Sequence, residues 1–227
     1  MRKGIITLAV IGMIVGVLMA FGPLVANYFS DRGLRTADIT AGGEPASVGM
    51  DGSWHVVGGA GDNVSQAGYT FDEKLPAGSK TTSGRTEDVE GDVKVKEKKL
   101  TEGKITVDVA SISSDVEKRD INVRKSILHT DKFPKASFTL TEPADVSKLP
   151  DDGTTEKVRV TGDLELRGKK NPVTAELKVL RTGEHVILQG NIPFKRSDFD
   201  IQTPQFVAAT IADEGTIDLL LVLEQFK

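Results

Sequence analysis

Cysteine is absent from the 227 residues of this chain. That excludes disulfides, thiolate metal sites, thiol nucleophiles and attachment to lipid through an N-terminal cysteine. Histidine is scarce: His55, His129 and His185 stand in three separate segments without metal-ligand spacing. A Gly-rich phosphate loop is lacking too, since Gly58, Gly59 and Gly61 are not followed by a helix bearing Lys. Ser197-Asp198 and Ser113-Ser114-Asp115 offer hydroxyls but no nucleophile elbow and no Ser-His-Asp arrangement. The sequence therefore predicts neither an enzyme nor a cofactor or metal site. A hydrolase acting on lipid or glycan would need a convergent nucleophile and base.

Charge is missing from one long run. Residues 4–26 carry none and follow Arg2 and Lys3. At about 1.5 Å rise per residue such a helix crosses the roughly 30 Å hydrocarbon core of a bilayer. Cytoplasmic flanks favour Lys and Arg, so residues 1–30 are expected to be a signal-anchor with everything after Ser30 extracytoplasmic, in the cell envelope. The rival is a cleavable signal peptide, whose apolar segment is shorter, about 7–15 residues; Val25-Ala26-Asn27 would be its cleavage site. Gly12 and Gly16 form a GxxxG, a spacing that lets two membrane helices approach closely and so suggests a homodimer.

Beyond residue 30 the chain has 27 basic against 33 acidic residues, a formal charge of −6. A mildly acidic domain with mixed charges argues against nucleic acid as partner and against a polybasic grip on anionic lipid. Without disulfides, its hydrophobic core alone must hold it.

Residues 31–51 are rich in Gly, Ala, Thr and Ser and are expected to be a flexible linker. From residue 52 to 227 the pattern has period two. The runs 89–95, 104–109, 158–166, 173–179, 186–192 and 217–223 alternate apolar with polar. Such alternation marks antiparallel sheets with one buried and one wet face. The last run is apolar on both faces near its end, so another segment should cover part of its outer face. Gly153, Gly168 and Gly183 mark turns, Pro172 should just precede its strand, and the polar stretch 78–84 is expected to be a mobile loop. Residues 114–127 are expected to be helical, capped by Ser114 or Asp115, with Ile121, Val123 and Ile127 as an incomplete apolar stripe. About eight strands and one short helix indicate an all-β barrel or sandwich.

A barrel of about eight strands is either just filled by side chains or holds one small ligand. Gly91, Gly162, Ala175 and Gly190 fall at inward phases, where they would leave a hollow or else mark bends.

Several stretches carry a family resemblance. Val107-Asp108-Val109-Ala110-Ser111 ends a strand, Arg119-Asp120-Ile121-Asn122-Val123-Arg124 follows in the helix, and Phe133-Pro134-Lys135-Ala136-Ser137-Phe138 enters the next strand. Gly162-Asp163-Leu164-Glu165-Leu166-Arg167-Gly168 with Pro172-Val173 supports it, as does Phe194-Lys195-Arg196-Ser197-Asp198-Phe199-Asp200-Ile201. Asp51-Gly52-Ser53-Trp54 and Ala67-Gly68-Tyr69 match at the front. Together these resemble the YceI-like polyisoprenoid-binding family over residues 51–227.

The resemblance implies a lipocalin-like extended antiparallel β-barrel enclosing an isoprenoid lipid, such as a polyprenyl phosphate or a quinone, with no reaction. Expected barrel-lining residues are Val93, Val107, Phe133, Phe138, Leu164, Leu177, Leu188, Phe194, Phe199, Leu219 and Leu221, with Phe206 as a further lining or lid aromatic. Arg119, Asp120 and Arg124 are candidates for a polar mouth; the alternative is that Arg119 and Asp120 form ion pairs or hydrogen bonds fixing the helix to the barrel. Trp54 and Tyr69 should pack at a barrel end. The competing function is a structural or interaction module of the envelope with a filled core. Many relatives are soluble secreted proteins, so the expected anchor sets this chain apart.

Overall fold

Strands make up most of the chain after residue 50. The computed structural model describes residues 33–39, 42–75, 78–202 and 210–226. The expected membrane helix, its Gly12–Gly16 pair and Phe206 lie outside them. Among the described residues no helix is long and apolar enough to cross a membrane.

In chain order the strands are β1 (Gly52–Val57), the short pair β2 (Gly59–Ala60) and β3 (Asn63–Val64), β4 (Gln66–Leu75), β5 (Gly78–Thr86), β6 (Val89–Lys96) and β7 (Lys99–Asp108). Helix α1 (Glu117–Asn122) runs into a π-helical turn, Val123–Leu128. Then come β8 (Lys135–Leu140), β9 (Ala144–Asp145), β10 (Thr155–Leu166), β11 (Lys169–Thr182) and β12 (His185–Lys195). A 3₁₀ turn (Arg196–Phe199) and β13 (Thr210–Gln225) complete the series.

Each run read as alternating falls within a strand, except that 104–109 passes one residue beyond the end of β7. The strands pair antiparallel in the order β1-β6-β7-β8-β10-β11-β12-β13, and β1 pairs back with β13 to close an eight-stranded barrel. β13 is long enough to serve two partners: Val222–Gln225 meets β1, while the stretch from Thr210 to Leu220 meets β4. The β4–β5 hairpin therefore extends the wall beside the closed ring. Closure removes the edges of the eight-stranded ring, while β5 stays an edge strand that Leu34 and Ser113 touch by backbone hydrogen bonds.

Three local expectations are corrected. Residues 78–84 are not a loop but most of β5, paired with β4 along its length, with Thr82, Ser83 and Gly84 buried. Hydroxyl pairing replaces apolar alternation there, as Ser83 Oγ lies 2.9 Å from Thr70 Oγ1. Pro172 lies inside β11, opposite Asp163, but where β12 offers no partner, so its missing N–H leaves no gap in a ladder. Neither Ser114 nor Asp115 caps α1, whose first flanking residue is Val116; Ser114 Oγ instead accepts from the Val116 N–H. Val123 is buried in the stripe, whereas Ile121 is 43% exposed.

The stretch read as a flexible linker packs on the barrel wherever it is described. The Leu34 N–H donates to the Ser83 carbonyl, Ala46 N–H to Asp151 and Arg181 to the Val48 carbonyl. The physical reason is the doubly apolar end of β13. Leu220 and Val222 point outward and are fully buried, together with Leu180 and Ile187, beneath Ile39 of this stretch and Ala60 of β2. Covering each such side chain is worth roughly 1.5–3 kcal/mol, enough to fix a strap that has no regular structure of its own.

Candidate functional site

One end of the barrel is solid. Trp54, Val95, Val158, Val179, Val186 and Leu223 pack together there, with Val146 and Leu149 from the segment after β9. The Trp54 indole N–H donates to the Met50 carbonyl at 3.0 Å, so this aromatic seals the floor as expected. Above that floor the interior is hollow, a cavity of about 330 Å³. That lies in the range of about 300–1,000 Å³ typical of small-molecule sites. The helical segment after β7 and residues Arg196, Ile201 and Ile211 line the opposite end.

The walls follow from strand register. Leu164 stands opposite Phe138, Val179 opposite Leu188, and Leu188 opposite Leu221, so inward phases of neighbouring strands meet in apolar belts. Of the eleven expected lining residues, nine border the cavity: Val93, Val107, Phe138, Leu164, Leu177, Leu188, Phe194, Leu219 and Leu221. Phe133 and Phe199 do not. Phe133 lies against Gly168 at the β10–β11 turn. Phe199 is only 1% exposed and packs edge-on against Phe194, 5.9 Å between ring centres, bracing the wall from behind.

The hollow does not come from the small residues singled out in the sequence. Gly91, Gly162, Ala175 and Gly190 do not border it, and the glycines admit neighbours instead. A Cβ at Gly162 would collide with the Phe138 ring, and one at Gly190 with the Leu177 side chain. Gly103, unremarked in the sequence, borders the cavity, and a Cβ there would make only ordinary contacts at 3.5 and 3.6 Å.

The expected polar mouth divides. Arg119 borders the cavity, but its Nη1 donates to Asp115 Oδ1 at 2.6 Å and to Ser114 Oγ at 3.3 Å. Asp120 is buried and accepts from both the Ser114 N–H and its hydroxyl. Arg124 donates to the Ile112 carbonyl at 2.9 Å. Asp120 and Arg124 thus pin the helical segment to the loop that leads into it from β7. Burial works to raise the Asp115 pKa, yet the Arg119 hydrogen bond and charge outweigh it and hold the carboxyl below its ordinary value.

Polar lining that sequence reasoning missed comes from β4, β5 and the 3₁₀ turn. Tyr69, Glu73, Thr82 and Arg196 all border the cavity. Tyr69 was expected at a barrel end; it lies in the cavity wall, where burial drives the phenol pKa far up, so it stays protonated. Arg196 donates to the carbonyls of Ala212, Ile201 and Ile211, tying the top of β13 to the 3₁₀ turn. The quoted Phe-Lys-Arg-Ser motif contained it, but nothing in the spacing indicated that it reaches the lumen.

The histidines stand apart from the cavity lining. His55 contacts the Phe226 ring, His129 occupies a left-handed conformation after the π-helical turn, and His185 pairs with Glu224 between β12 and β13. Among the described residues no group of three His, Asp or Glu is placed to hold a metal ion.

The profile of the YceI-like domain matches residues 62–223. Protein YceI of Escherichia coli (strain UMN026) is 30% identical over 142 residues, which is 60% of this chain and 59% of that protein. A UPF0312 protein of Vibrio campbellii is 26% identical over 199 residues, covering 84% of this chain and 85% of its own length. Among solved structures, Burkholderia cenocepacia BcnA superposes with a TM-score of 0.54 at 25% identity, over 69% of this chain and 95% of BcnA. A polyisoprenoid binding domain from Saccharophagus degradans gives 0.57 at 15% identity, over 76% of this chain and 98% of that domain, a likeness of fold. The closed barrel, its hollow upper interior and the matched profile lead to one assignment: the chain belongs to the YceI-like domain family.

Proposed function

We propose that the barrel binds an isoprenoid lipid in its lumen, as a carrier or store and without catalysis. The observation that carries this reading is the continuous apolar cavity of about 330 Å³ between the Trp54 floor and the helical segment. Each methylene moved from water into such a lining gains about 0.8 kcal/mol, so a branched hydrocarbon chain supplies its own affinity. The fold shared with a polyisoprenoid binding domain supports the same ligand class. A structural module with a filled barrel is disfavoured by the cavity itself.

Residues 4–26 would anchor this barrel to the cytoplasmic membrane on its outer side, beside the lipid pool from which an isoprenoid is drawn. Native mass spectrometry of the full-length chain, purified in detergent and incubated with a long-chain polyprenol, tests the binding. A one-to-one complex is the expected result, and no complex at any ligand excess would overturn the proposal. For the anchor, retention in the membrane pellet after alkaline carbonate washing is expected, together with protease access to the barrel from outside.

A further inference from the structure

The wall made by β4 and β5 differs chemically from the rest of the lumen. Apart from Ser137 on β8, the other strands line the cavity with apolar residues; here Tyr69, Glu73 and Thr82 line it together. Thr82 is 4% exposed, and its Oγ1 has no hydrogen-bond partner. Its neighbours on the same strand are satisfied: Thr81 donates to Asp72, Ser83 pairs with Thr70, and Thr86 pairs with Ser111. A buried hydroxyl left unpaired is unfavourable and rarely kept without a partner to meet it.

The positive charges at the cavity are already committed. Arg119 gives its Nη1 to Asp115 and Ser114, and Arg196 gives one hydrogen bond each from Nε, Nη1 and Nη2 to three backbone carbonyls. A phosphate at Arg119 would meet a charge that Asp115 already balances, and one at Arg196 would crowd the guanidinium that ties the top of β13 to the 3₁₀ turn. It would also sit in the same wall as the Glu73 carboxylate. Bringing a second anion beside that carboxylate, with the Arg119 charge already balanced by Asp115, is unfavourable.

We infer that the β4–β5 wall is a head-group subsite, centred on Thr82 and Tyr69, that selects an uncharged oxygen-bearing isoprenoid over its phosphorylated form. Thr82 Oγ1–H and the Tyr69 phenol are both able to donate to a quinone carbonyl and to exchange hydrogen bonds with an alcohol. The tail then lies along Leu164, Leu188 and Leu221. This rests on the reading of the lumen as an isoprenoid site and adds the class of head group.

The test uses the full-length chain in detergent and four probes of matched prenyl length: an alcohol, its monophosphate, a quinone and a head-less hydrocarbon. The alcohol and the quinone are expected to bind at least about tenfold more tightly than the monophosphate. Thr82→Val should weaken both roughly three- to tenfold, leave the hydrocarbon unchanged and keep the thermal unfolding midpoint. Thr82→Ser should restore binding. Equal or tighter binding of the monophosphate would overturn the inference, as would a Thr82→Val protein that binds all four probes like the parent. Failure of every probe, the hydrocarbon included, would instead overturn the lipid reading beneath it.

Discussion

Asp115 Oδ1 accepts a hydrogen bond from Arg119 at 2.6 Å, while its Oδ2 accepts from the Gly33 backbone N–H at 3.3 Å. A single carboxylate thereby joins the helical segment at the cavity to the strap that covers the barrel's outer face. Burial opposes its charge, and Arg119 more than offsets that, leaving the pKa below the ordinary carboxylate value. A depressed folded-state pKa stabilises the fold above the unfolded-state value, and that stability is lost as pH falls through the folded-state value. Acidification below about pH 4 should therefore loosen this junction. Asp115→Asn should lower stability at neutral pH by on the order of 1 kcal/mol and flatten the acid limb of a melting-versus-pH curve. A variant with an unaltered acid limb would show that the pair does not matter.

Gly103 lets the lumen be narrowed without touching its polar wall. Its Cβ position is free of close contact, and it borders the cavity. Gly103→Leu should fill part of the hollow and reduce polyprenol uptake about tenfold or more, with an unfolding midpoint equal to or above the parent's. Loss of binding accompanied by a lowered midpoint would point to disruption rather than filling.

At Gly162 the opposite is expected. A methyl there meets the Phe138 ring and the Thr139 carbonyl, so Gly162→Ala should destabilise the barrel by about 1–3 kcal/mol in urea unfolding. An unchanged midpoint would mean that Phe138 has room to retreat into the cavity.

Ile39 is 5% exposed and seals the outer face of β13 over Leu220 and Val222. Ile39→Ala should cost about 2–4 kcal/mol and open residues 33–39 to limited proteolysis. If a flexible tether were the correct description, both measurements would match the parent.

How much of this was legible in the sequence depends on what each segment uses to hold itself. The runs 158–166 and 186–192 alternate apolar with polar because one face is buried, and they are central strands β10 and β12. β5 offers Gly, Ser, Lys and Thr instead, so no period-two signal betrays it; hydroxyl pairing across to β4 is invisible one strand at a time. For the same reason Thr82 and its wall escaped notice. The covering of β13 was foreseen from Leu220 and Val222, but the covering segment was not, because a single Ile39 in a small-residue stretch looks like linker. Phe199 shows the limit of phase counting: the 3₁₀ turn that carries it sends its ring behind the wall, not into the lumen.

The central claim is that a prenyl chain lies inside the barrel. It is tested most directly by intermolecular NOEs between a ¹³C-labelled polyprenol and the full-length protein labelled at its Leu methyls. Cross-peaks to Leu164, Leu188 and Leu221, which line the cavity, are predicted. A bound ligand whose only cross-peaks reach Leu34, on the outer surface, would contradict it.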